Sequence, residues 1–120
     1  MDVDPRALYH RWLLELWHGD YDVAGHILRE DFTGHWPDRE VEGRQALVDL
    51  IRETRGMFDG LTFRLELGPV VDGDTVAARW SGVGRSGGTE MPLLGHDLLT
   101  VREGRFAEYW VVSWTGGAQM

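Results

Sequence analysis

Leu61, Phe63, Leu65 and Leu67 alternate with polar residues, and similar alternation returns at intervals through the second half of the chain. A period of two belongs to a half-buried strand, whose successive side chains point to opposite faces. Asp72-Gly73-Asp74 reads as a turn and residues 75–81 as the next strand. Residues 82–88 read as a glycine-rich loop. Residues 93–101 and 105–115 then form a last hairpin across Arg102-Glu103-Gly104. A chain with this half has to cover one face of an antiparallel sheet.

The first half supplies the cover. Asp4 is placed to cap a helix and Pro5 suits its first position, after which Leu8, Trp12, Leu13, Leu16 and Trp17 recur at helical spacing. Gly19 stops that helix. Asp22 is placed to cap a second, short one containing Val23, Ile27 and Leu28. An extended piece over 32–36 ends at Pro37. A third helix follows over 43–57, with Leu47, Leu50, Ile51, Thr54 and Phe58 on one face. The order implies one α+β domain over 1–120, with a core spanning about 5–114, in which three N-terminal helices pack on a curved sheet.

Composition narrows the partners. Twenty acidic against 12 basic residues give a net charge of −8, which argues against nucleic acid or an anionic membrane surface. The acidic N-terminus lacks a signal pattern and the apolar runs are too short to span a bilayer, so a cytoplasmic protein is expected. With no cysteine, a thiolate nucleophile and any Cys-ligated metal site are excluded. His10, His18 and His26 are eight residues apart, which does not make a same-face metal pair. Six tryptophans must fill a core, line a cavity or face a partner.

Two motif matches fail on context. Gly82-Val83-Gly84-Arg85-Ser86-Gly87 fits a dinucleotide fingerprint, and Gly84-Arg85-Ser86-Gly87-Gly88 fits a nucleophile elbow. Both require a helix to follow, and Gly88-Thr89-Glu90-Met91-Pro92 cannot open one well.

The last hairpin carries the first candidate site. If Arg102-Glu103-Gly104 is a three-residue loop, Val101 pairs with Arg105, Leu99 with Ala107, Asp97 with Tyr109 and Gly95 with Val111. Opposed residues share a face, so Asp97, Leu99, Tyr109 and Val111 lie together. Burial beside apolar groups raises the pKa of Asp97. The other face carries Leu98, Thr100, Phe106, Glu108, Trp110, Val112 and Trp114, an apolar surface suited to a second copy of the chain; the alternative is that Trp110 and Trp114 fold under the helices and the pocket lies on that side.

The order of elements resembles the nuclear transport factor 2-like superfamily, a cone-shaped curved sheet closed by helices. His18-Gly19-Asp20-Tyr21-Asp22, Glu30-Asp31-Phe32-Thr33 and Pro37 look like the N-terminal half of ketosteroid isomerases and SnoaL-like polyketide cyclases. Gly43-Arg44-Gln45-Ala46-Leu47 looks like the start of their third helix. His96-Asp97-Leu98-Leu99, Val101-Arg102-Glu103-Gly104-Arg105-Phe106 and Glu108-Tyr109-Trp110 look like their last hairpin, closest to the SnoaL-like branch.

The resemblance implies chemistry next to a carbonyl without a cofactor, on a hydrophobic polycyclic or aromatic molecule. In the isomerases an oxyanion tyrosine and a base aspartate fall, counted without gaps, at Trp12 and Trp36, while a buried protonated aspartate falls near Asp97. The cyclase acid/base aspartate falls at Val111. In the epoxide hydrolases of the fold an arginine stands where this chain has Gly95. Asp97 is the common survivor.

The expected set is therefore Asp97 as acid/base, His35 as its partner and Tyr109 as oxyanion donor, with Trp12, Trp17, Trp36, Leu99 and Val111 lining the pocket and no metal. Asp31 reads as a turn or capping residue and Arg79 as the partner of an acid such as Glu66 or Glu108. Intramolecular aldol cyclisation is the favoured reaction. Isomerisation or dehydration, a ligand-binding module without catalysis, and a cone filled by its own tryptophans are the alternatives.

Overall fold

The computed structural model describes residues 3–115 and 118–119. Helix α1 (Pro5–Leu14) starts as expected, with the Asp4 carboxylate accepting from the Arg6 N–H at 3.0 Å and Pro5 in the first turn. It ends before Leu16; Leu16 and Trp17 belong to a single 3₁₀ turn (Leu16–His18) that closes on Gly19 at φ 102°. A second 3₁₀ turn (Tyr21–Val23) and α2 (Ala24–Ile27) follow, without a side-chain cap from Asp22, and Leu28 belongs to the next strand. Helix α3 (Arg44–Gly56) buries Leu47, Val48 and Ile51.

The strands are β1 (Leu28–Trp36), β2 (Arg39–Glu42), β3 (Gly60–Asp72), β4 (Thr75–Ser86), β5 (Thr89–Arg102), β6 (Arg105–Thr115) and β7 (Ala118–Gln119). They form one curled sheet in the order β2-β1-β6-β5-β4-β3, with β7 also on β6. Neighbours are antiparallel except β1 and β6, which run parallel with Gly34 beside Tyr109. The core lies between the concave face and the helices, where Trp12, Tyr9, Phe32, Phe106 and Leu99 are fully buried. No helix among the described residues is long and apolar enough to cross a membrane.

Several expectations need correction. Strand β1 begins at Leu28, and β2 was not anticipated because only Val41 of its four residues turns inward. Charged residues on a sheet's edge strand blunt it against further pairing. Leu67 is exposed, because β3 bulges on either side of it and loses its alternation. The supposed loop at 82–88 is a long hairpin whose turn is only Gly87-Gly88, at φ 57° and 82°. Gly82 and Gly84 sit inside β4, where the rings of Phe63 and Phe58 occupy the space of their missing side chains.

The last hairpin also differs in register. Its turn has two residues, Glu103 and Gly104 at φ 54° and 80°, with Arg102 opposite Arg105. An extra residue at Ala107 then shifts the pairing, so that Leu99 faces Tyr109, Asp97 faces Val111 and Gly95 faces Ser113. The total offset from the expected register is two residues, which preserves the face. Asp97, Leu99, Tyr109 and Val111 do lie together, on the concave side. Phe106 precedes the bulge and turns inward, whereas the outer face was expected for it.

Candidate active site

Asp97 is 3% exposed and has no cation beside it; its carboxylate is held by four neutral donors. The Tyr9 hydroxyl donates to Oδ2 at 2.8 Å and the Trp12 indole N–H to the same oxygen at 3.3 Å. The Tyr109 hydroxyl donates to Oδ1 at 2.8 Å, and the Trp80 indole N–H at 3.0 Å. Each group is there for a local reason. Tyr9 and Trp12 are three apart on α1 and face the sheet together. Trp80 lies opposite Gly95 on the neighbouring strand and Tyr109 arrives on β6.

Desolvation raises the pKa of Asp97, and the four hydrogen bonds from Tyr109, Trp80, Tyr9 and Trp12 oppose that rise without cancelling it. Burial also pushes the hydroxyls of Tyr9 and Tyr109 up, and the adjacent Asp97 adds to it, so both phenols stay neutral. The result is a basic carboxylate whose proton partners are phenols.

Asp97 and Tyr109 form part of the floor of a cavity of about 310 Å³. Apart from Thr54 of α3 its walls are apolar: Leu13 and Trp17 from the first helical segment, Leu50 and Phe58 from and after α3, and Phe63 and Leu93 from the sheet. Val111 and Ser113 complete the floor, and the exposed Asp38 and Arg39 stand at the rim. Trp36 folds over Gly34, where an added methyl group would lie 2.7 Å from its ring, and meets Tyr109 edge-on at 5.4 Å. This cavity excludes a cone filled entirely by its own tryptophans.

The expected residues thus separate. Asp97, Tyr109, Trp17, Trp36 and Val111 meet at the cavity. Trp12 and Leu99 are buried in the core rather than lining it, and Trp12 serves Asp97 as a donor. His35 is a correction: it lies on the convex side, stacked on Trp110 at 5.2 Å, with Nδ1 3.0 Å from Glu40 and Nε2 2.6 Å from Glu108. The Glu108 bond raises its pKa, against desolvation and with help from Glu40. Strand alternation places His35 opposite in sense to Gly34 and Trp36, so it does not share a site with Asp97. Asp31 forms surface ion pairs with Arg29 and Arg102, and Arg79 bonds His96 at 2.8 Å instead of an acid.

Tyr9, Trp80 and Ser113 were not singled out from the sequence. The spacing of Tyr9 to Trp12, Leu13 and Leu16 marks it as an inward residue. The gapless count to Trp12 falls one turn beyond it. Trp80 follows Val76 and Ala78 on the buried side of β4, and Ser113 stands two beyond Val111 on the same face.

The model of the SnoaL-like domain matches residues 9–109. A loop-truncation variant of IdmH has the same fold with a TM-score of 0.81, 21% identity and 92% of each chain covered. Wild-type IdmH from Streptomyces antibioticus, a polyketide cyclase by assignment, superposes with a TM-score of 0.79 at 19% identity, covering 92% of this chain and 91% of that one. A SnoaL-like polyketide cyclase by assignment from Jannaschia sp. CCS1 gives 0.79 at 19%, covering 97% and 91%. No curated protein matches the sequence. With the match running from the Asp97 donor Tyr9 on α1 to the Asp97 donor Tyr109 on β6, the chain belongs to the SnoaL-like family.

Proposed function

We propose that this protein is a cofactor-independent acid/base enzyme that forms an enolate in a hydrophobic polycyclic or aromatic carbonyl compound and closes a ring by intramolecular aldol addition. The observation that carries the reading is a desolvated carboxylate without a cation, joined to a phenol on the floor of an apolar cavity. Tyr109 swings its hydroxyl hydrogen from Asp97 Oδ1 to the substrate carbonyl, which frees a lone pair on that oxygen. Asp97 then takes the α-proton, and the enolate oxygen keeps the Tyr109 hydrogen bond. The enolate carbon attacks a second carbonyl of the same molecule, and the new alkoxide recovers the proton from Asp97. Tyr9, Trp12 and Trp80 hold the carboxylate still throughout.

The test is solvent-deuterium exchange at the α-carbon of 2-tetralone, a bicyclic ketone, followed by NMR. Wild-type protein accelerates exchange, and Asp97→Asn and Tyr109→Phe each lose about 100-fold or more of that acceleration. Absence of acceleration by the wild type refutes proton abstraction from such ketones. A second reading, a ligand-binding module, is favoured by the saturation of all four hydrogen bonds to Asp97 within the protein. It requires that carbonyl compounds bind and be recovered unlabelled and unchanged.

The convex face supports a homodimer as part of the same proposal. Leu98, Trp110 and Val112 are 41%, 37% and 38% exposed in one continuous stripe across β5 and β6. An apolar stripe of this kind is suited to a second copy of itself.

A further inference from the structure

Beside Asp97 and Tyr109 the cavity floor holds one more polar group, which the chemistry above does not use. Ser113 lines the cavity and is 7% exposed. It stands opposite Gly95, two pairs along from the Asp97–Val111 pair, on the same face of the sheet. Diagonal neighbours of this kind lie about 7–8 Å apart, their Cβ atoms somewhat closer.

None of the side-chain hydrogen bonds among the described residues uses the Ser113 hydroxyl, which opens to the cavity. Its surroundings explain why. Gly95 has no side chain to offer, and the indole lying over it spends its single N–H on Asp97. Leu93 and Val111, the other floor residues on these two strands, are apolar. A hydroxyl that opens to the cavity with no partner in the protein is free to bond whatever fills it.

We infer that Ser113 is the second polar anchor of the cavity, receiving an oxygen function of the ligand while Tyr109 receives another. The inference rests on the enolate reading of this cavity and deepens it. Ring closure by aldol addition needs two carbonyls in one molecule, the first enolised at Tyr109 and Asp97 and the second attacked. Ser113 donates to the oxygen of that second carbonyl, where negative charge collects as the carbon–carbon bond forms. The ligand class is then a fused-ring compound with two oxygen functions along one edge.

Calorimetric titration with 2-naphthol and 2,7-dihydroxynaphthalene tests the anchor, because the second compound carries both hydroxyls on one long edge. The wild type binds the dihydroxy compound about three- to tenfold more tightly, the worth of one hydrogen bond. Ser113→Ala removes that preference. Ser113→Cys, which fills the space at least as fully but donates weakly, does the same. Thermal melts of both variants identify any loss caused by unfolding. A preference that survives in both folded variants, or none in the wild type, overturns the anchor alone. Failure of the wild type to bind either naphthol overturns the ligand site itself, and the anchor with it.

Discussion

Trp80 lies across Gly95, its partner on the adjacent strand, so closely that a methyl group on Gly95 would stand 2.2 Å from the Trp80 ring. The missing side chain is what lets the indole lie flat on the sheet and aim its N–H at Asp97, 3.0 Å away. The strand position beside Asp97 that lacks a side chain is therefore filled by a neutral donor delivered from the next strand.

Gly95→Ala is expected to destabilise the protein by about 1–3 kcal/mol, the usual cost of overpacking a core. It also turns Trp80 away from Asp97. Chemical denaturation measures the first effect, and the near-ultraviolet circular dichroism of the tryptophans registers the second.

Tyr9→Phe removes a buried donor to Asp97 and leaves the ring packed. A hydrogen bond to a charged group contributes about 1.5–3 kcal/mol, so a loss of that order is expected. Because that bond holds Asp97 down, the variant's Asp97 titrates still higher.

Stability should depend on pH through Asp97 with a definite sign. The folded form holds the carboxyl proton more tightly than the unfolded chain, because burial raises the pKa. That contribution is complete below about 3.9, the ordinary aspartate value, and is lost as pH rises through the elevated folded value. The difference in unfolding free energy between wild type and Asp97→Asn, measured against pH, carries this slope. A flat difference above pH 4 would contradict the raised value.

His18 and His35 should titrate on opposite sides of the ordinary histidine value. Burial lowers His18, whose Nε2 accepts the Phe63 backbone N–H at 3.0 Å, with Arg55 adding to the fall. The hydrogen bond to Glu108 raises His35. NMR titration of the ring protons checks both. The stabilising share of His35 is full below about 6.5 and fades as pH rises through its raised value.

Trp110→Glu places a charge in the middle of the exposed convex stripe. Sedimentation should report a monomer for this variant and a dimer for the wild type. Since Trp110 points away from the cavity, 2-naphthol binding per chain is expected to remain.

The N-terminal cap, the three helical segments, the first and last hairpins and the sharing of one face by Asp97 and Tyr109 were legible from local pattern; the middle hairpin, read as a loop, and the side of the sheet that faces the core were not. Capping, helical spacing and strand alternation depend on neighbours in sequence, and a two-residue error in register leaves each side chain on its face. The two-residue turn and the bulge at Ala107 were not legible; the turn set Phe106 opposite Val101, facing inward, and the two together set Asp97 opposite Val111. Nor was the parallel pairing of β1 with β6, which joins segments some 75 residues apart and sends His35 to the convex side beside Glu108 and Trp110. The donors around Asp97 come from α1, β4 and β6, so no spacing in the chain records their meeting. Residue identity determined which groups can donate, accept or merely fill space. Only the curl of the sheet under α1 decided that four of the donors would converge on one carboxylate.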